Sequence, residues 1–125
     1  MLKLLIFIGM GSFLGGLARY GLGRFIVAVA GVPSFWGTLA SNVLGCFLIG
    51  LFYGLFDRYD VGGVHWRMFL TVGFCGGFTT FSTFVHENYV NISQGRFFAS
   101  VLYATLSFAI GLVMVYAGHR AVSSC

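Results

Sequence analysis

From Phe25 to Phe56 not one residue carries a charge, and the stretches on either side are nearly as apolar. A helix crosses the hydrocarbon core of a bilayer with about 20 predominantly apolar residues, so this run is too long for one span. Gly31-Val32-Pro33-Ser34 is the place to turn, because Gly and Pro punctuate helices. The same reading along the chain predicts an all-α membrane protein. Its spans run from about Leu4 to Val29, Ser34 to Phe56, His65 to Val90 and Phe97 to Gly118, in a single domain covering residues 1–125. Asp57 to Gly63 and Asn91 to Arg96 supply polar connections. Met1-Leu2-Lys3 and the apolar run after it look like a signal peptide. However, Arg19 and Arg24 stand where a small-residue cleavage site belongs, so a retained first span is expected.

Composition excludes several classes of function. Charged residues are 8% of the chain against about 25% in soluble domains, and mean hydropathy is +0.93. The net charge of +4 comes from scattered basic residues with no basic run, which argues against nucleic-acid binding and for contact with lipid headgroups. Cys46, Cys75 and Cys125 lack metal-ligand spacing, and His65, His86 and His119 form no i, i+4 pair. No nucleophile has a base beside it. The acids, Asp57, Asp60 and Glu87, are placed by the pattern away from the middle of any span. An enzyme is not expected.

The third span contains Gly73-Phe74-Cys75-Gly76-Gly77-Phe78-Thr79-Thr80-Phe81-Ser82-Thr83-Phe84. Glycine costs roughly 1 kcal/mol relative to alanine inside a helix, and Thr and Ser hydroxyls compete for local backbone groups. The sequence therefore predicts a broken membrane helix. Backbone freed at membrane depth survives only where protein or a watery cavity surrounds it, and there its carbonyls can bind a cation. Phe81 and Phe84, three apart, share a face, and the positive edges of their rings suit a small anion. Thr79, Thr80, Ser82 and Thr83 add hydroxyl donors beside them. Thr71-Val72-Gly73-Phe74 matches words of a potassium filter by chance, since that filter needs a re-entrant loop.

Two polar stripes accompany the break. Thr38, Asn42 and Gly45 fall at i, i+4 and i+7 on the second helix, and Ser100, Tyr103, Ser107 and Gly111 make a track on the fourth. Each stripe has a bland reading as interhelical packing or bonding, and Asn42 alone is as well explained by a bond between helices. Gly11 and Gly15 form a GxxxG pair for close packing. Arg19 and Arg24 either both snorkel to headgroups, or Arg19 faces a watery vestibule that concentrates anions. Lys3, Arg58, Arg67 and Arg120 lie towards one side and Arg19, Arg24 and Arg96 towards the other, a balance with almost no positive-inside bias. Such a chain can insert both ways and pair antiparallel with itself.

Over essentially its whole length the chain resembles the small bacterial fluoride channels of the Fluc, or CrcB, family. The resemblance rests on Gly15-Gly16 with Arg19, on Gly37-Thr38-Leu39 through Asn42 to Gly45, and above all on Gly73 to Phe84. It implies an antiparallel, dual-topology homodimer in the bacterial inner membrane with two fluoride pores. It also implies a structural sodium ion at the dimer centre, held by the backbone carbonyls of Gly76 and Thr79. By the same resemblance Phe81 and Phe84 line the anion path, Asn42 points a donor into it, Tyr103 and Ser107 belong to its polar track, and Arg19 is a vestibule residue. Gly111 departs from the track. The implied role is resistance: hydrofluoric acid enters neutral, dissociates inside, and a passive channel lets the anion leave. From the residues alone two other readings stay open, a dual-topology exporter of cationic drugs and a non-transporting helical assembly factor. The first of these needs an embedded acid that the first helix lacks.

Overall fold

The computed structural model describes residues 1–33, 35–59 and 63–123, so Ser34 at the expected start of the second span, and Asp60, Gly62 and Cys125, lie outside the described residues. Helix α1 (Leu2–Ala30) ends at Gly31, whose φ of 65° is the left-handed turn that glycine adopts without cost. Helix α2 (Phe35–Tyr59) follows. The third span is composite: α3 (Gly63–Met68), a π-helical stretch (Phe69–Cys75), a single turn α4 (Gly76–Phe78), then the interruption, then α5 (Ser82–Ser93). Gly95, with φ 78°, turns the chain into α6 (Phe97–Ser123). Four helical segments are long and apolar enough to cross a membrane: Leu2–Ala30, Phe35–Tyr59, Gly63–Ser93 and Phe97–Val122. The chain is a multi-pass membrane protein, all-helical among the described residues.

The spans are drawn together by glycine rather than by large side chains. Lipid tails are as apolar as leucine, so helices in a bilayer gain most from close backbone approach. Gly11 and Gly15 of α1 lie against the backbone of Phe69, Gly73, Phe74 and Phe78, which is the packing the GxxxG pair predicts. Gly50 and Gly118 seal α2 against α6, the most extensive helix pair, where a Cβ on either would strike the other helix's backbone. Gly118 therefore packs instead of terminating α6. The helix runs on to Ser123, and the Val122 carbonyl accepts a bond from Arg58 Nη1 at 2.6 Å. His119, expected near an end, sits inside the helix with Nε2 3.9 Å from Asp57 Oδ2, and Arg67 lies 3.6 Å from the other Asp57 oxygen.

Two neighbouring glycines separate packing from composition. A Cβ on Gly77 would stand 2.5 Å from the Ser12 carbonyl oxygen and 3.0 Å from the Gly16 nitrogen, whereas one on Gly16 meets nothing within 4 Å. Gly77→Ala should destabilise the fold by about 1–3 kcal/mol, the usual cost of overpacking, and Gly16→Ala should not. Thermal unfolding of the two variants in detergent checks the contrast.

Candidate functional site

The third span loses its helix where the glycine and hydroxyl run predicts. Thr79 has φ −90° and ψ 160°, an extended conformation, and α5 begins again at Ser82. Before the break, the Thr79 N–H and hydroxyl both donate to the Cys75 carbonyl, at 3.0 and 2.9 Å. At the break the backbone groups find partners on other helices. Asn42 closes on Thr80 from both sides: Oδ1 accepts from the Thr80 N–H at 2.7 Å and Nδ2 donates to the Thr80 carbonyl at 3.0 Å. One amide side chain thus replaces two rungs of the lost ladder. Arg19 Nε donates to the Gly77 carbonyl at 3.3 Å. Among the described residues no hydrogen bond reaches the carbonyls of Gly76 and Thr79. Gly76 is exposed on the outside of the chain. Two free carbonyl oxygens suit a hard cation but fall short of a full oxygen shell by themselves.

Both polar stripes face the third span. Thr38 Oγ1 donates to Glu87 at 2.7 Å and Tyr103 donates to the other Glu87 oxygen at 2.8 Å. Ser100 donates to Asn88 at 2.7 Å, and Gly45 lies against the Thr79 side chain. Glu87, away from the middle of the Gly63–Ser93 span as expected, ties α2, α5 and α6 together.

A groove of about 460 Å³ runs beside the break, lined by Asn42, Cys46, Thr79, Phe81, Phe84 and Ser107 among others. The Phe81 and Phe84 ring centroids are 6.3 Å apart, and Phe84 is 5.1 Å from Tyr103. Ser107 Oγ is buried with no partner. On the other side of Thr80 a smaller crevice of about 200 Å³ is bounded by Arg19, Arg24, Thr38 and Ser41, whose buried Oγ also lacks a partner. Arg19 belongs to this crevice and not to the groove. Ser82 and Thr83 stand exposed on the first turn of α5, outside both. The spacing of residues gave no sign of Ser41 or of the role of Glu87, and it offered Thr80 only for its hydroxyl, whereas Asn42 holds its backbone. Ser41 lies one residue before Asn42 on the same helix, the nearest thing to a signal.

Fold and site together define a small multi-pass membrane protein in which an interrupted helix is braced by side chains and flanked by a groove whose largely apolar wall carries Asn42, Thr80 and Ser107. That is the anatomy of an ion channel. The family model for CrcB-like protein, Camphor Resistance (CrcB), matches residues 6–119, and the chain belongs to that family. A Leptospira interrogans protein called fluoride-specific ion channel FluC is 40% identical over 116 residues, covering 93% of this chain and 91% of its own. Proteins of the same name from Geobacter sulfurreducens and Bacteroides fragilis are 45% identical over 107 residues and 39% over 121, covering 86% and 94% of both partners respectively. The relatives bear the name of a channel, and the chain stands in a channel family, not an enzyme family.

Proposed function

We propose that this protein is a passive, fluoride-selective channel of the bacterial inner membrane that lets cytoplasmic fluoride leave and so limits its toxicity. The observation that carries the reading is the clamp of Asn42 on Thr80, which holds a break open at membrane depth beside a groove lined by the unpartnered Ser107 hydroxyl. Fluoride is small, strongly hydrated and a strong acceptor, so a path must replace its water with donors. The Ser107 hydroxyl, the second N–H of Asn42 Nδ2 and the ring edges of Phe81 and Phe84 can do so in turn, with no acid needed for coupling. Arg19 and Arg24 at the crevice raise the local concentration of anions before they enter.

The working unit in this reading is an antiparallel homodimer. Phe81 is 77% exposed on the single chain although it lines the groove, which supports a wall completed by a second copy. Gly76 and Thr79 from each copy would hold a sodium ion, which when bound supplies a fixed positive charge and joins the two broken helices. Replacing sodium by a large organic cation during purification should shift the detergent-solubilised protein from dimer to monomer, read by light scattering. Retention of the dimer would remove the ion from its structural role.

The test of function is efflux from proteoliposomes followed with a fluoride electrode. Rapid efflux of fluoride with chloride retained is expected. Equal loss of both ions, or of neither, overturns the reading.

A further inference from the structure

On α6 the track Ser100, Tyr103, Ser107 offers a hydroxyl at each turn until Gly111, which offers nothing. The space is not empty. A Cβ built on Gly111 would lie 3.2 Å from Cys46 Sγ, so the sulfur of α2 fills the volume that the missing side chain would occupy. Cys46 is free, half-buried and part of the wall of the groove, together with Asn42 one turn before it on α2 and Ser107 one turn before Gly111 on α6. The unpartnered Ser107 hydroxyl marks this stretch as one built to meet something other than the protein. Cys75, by contrast, is wholly buried and does not line the groove.

We infer that the Cys46 thiol is a lining group of the anion path, standing in for the hydroxyl that Gly111 lacks, and that it makes the path a binding site for thiophilic monovalent cations such as silver(I). This rests on the fluoride reading of the groove. The S–H is a weak donor, so an anion passing the unpartnered Ser107 hydroxyl next meets a softer group. A soft metal ion seeks thiolate sulfur over hydroxyl oxygen. Silver(I) forms an S–Ag bond as the thiol proton leaves to water, with no change of oxidation state. The bound cation then occupies the groove.

Silver nitrate is added to proteoliposomes in chloride-free buffer during fluoride efflux, and each protein is compared with its own silver-free rate. Wild type, Cys75→Ser and Cys125→Ser should lose most of their efflux, and Cys46→Ser should lose none of what it has. Undiminished wild-type efflux, or protection by Cys75→Ser or Cys125→Ser instead, overturns the inference. A second readout needs no flux. In the Cys75→Ser/Cys125→Ser double variant, 2-aminoethyl methanethiosulfonate should add one adduct to the intact mass in membranes, and absence of the adduct also refutes a thiol on the path. Wild type that passes no fluoride before silver is added defeats the fluoride reading alone, and the adduct then decides the position of Cys46.

Discussion

Asn42→Ala should abolish fluoride efflux, and it should do so by loosening the break as well as by removing a donor. The amide satisfies the N–H and the carbonyl of Thr80 at 2.7 and 3.0 Å. Removing it strands two backbone groups at about 1–3 kcal/mol each, in a setting where lipid offers no replacement. Asn42→Asp separates the parts: an aspartate accepts from the Thr80 N–H but donates nothing to its carbonyl and puts a negative charge beside the groove. Efflux should fall in both variants, while amide hydrogen exchange across residues 79–84 should rise strongly only for alanine. Normal efflux with normal exchange in Asn42→Ala would show that the clamp is dispensable.

The position of the break could be read from Gly76, Gly77 and the hydroxyl run because helix propensity is local, and four spans could be read because lipid demands apolar length. Partnership could not. Asn42 and Thr80 are 38 residues apart, and the stripe of Thr38, Asn42 and Gly45 shows a shared face without naming what it faces. The π-helical stretch Phe69–Cys75 was invisible for a related reason. Leu70, Thr71 and Val72 read as ordinary helix, and nothing local to them announces the wider turns of Phe69–Cys75, where Gly73 packs on Gly11. Within that stretch the Thr71 hydroxyl returns to the Arg67 carbonyl at 2.7 Å. Glu87 was placed away from the middle of its span, as it is, but its partners on α2 and α6 could not be read from the sequence. Its carboxylate now accepts from both Thr38 and Tyr103. The hydroxyl hydrogens of those residues are thereby spent on the protein, which among the described residues leaves Ser41 and Ser107 as buried hydroxyl groups still free to meet a ligand.

Phe81 carries the other large effect. Its ring is 77% exposed, as are comparably Phe98 at 78% and Phe108 at 75%, so exposure to lipid alone gives no reason to single it out. What distinguishes it is place: it stands at the break, 6.3 Å from Phe84, whereas Phe108 lines the groove from α6 away from the break and Phe98 lies outside the groove. A leucine at 81 keeps most of the apolar volume and discards the quadrupole whose positive edge can face an anion. If ring edges stabilise fluoride on its way, each 1.4 kcal/mol or so withdrawn slows passage about tenfold. Phe81→Leu and Phe81→Ala should then both lose nearly all efflux while keeping the oligomeric state of the wild type, and Phe98→Leu should conduct as wild type does. Were Phe81→Leu to conduct normally while Phe81→Ala failed, the residue would act by filling space, and the chemistry of the path would fall to Asn42 and the hydroxyl groups alone.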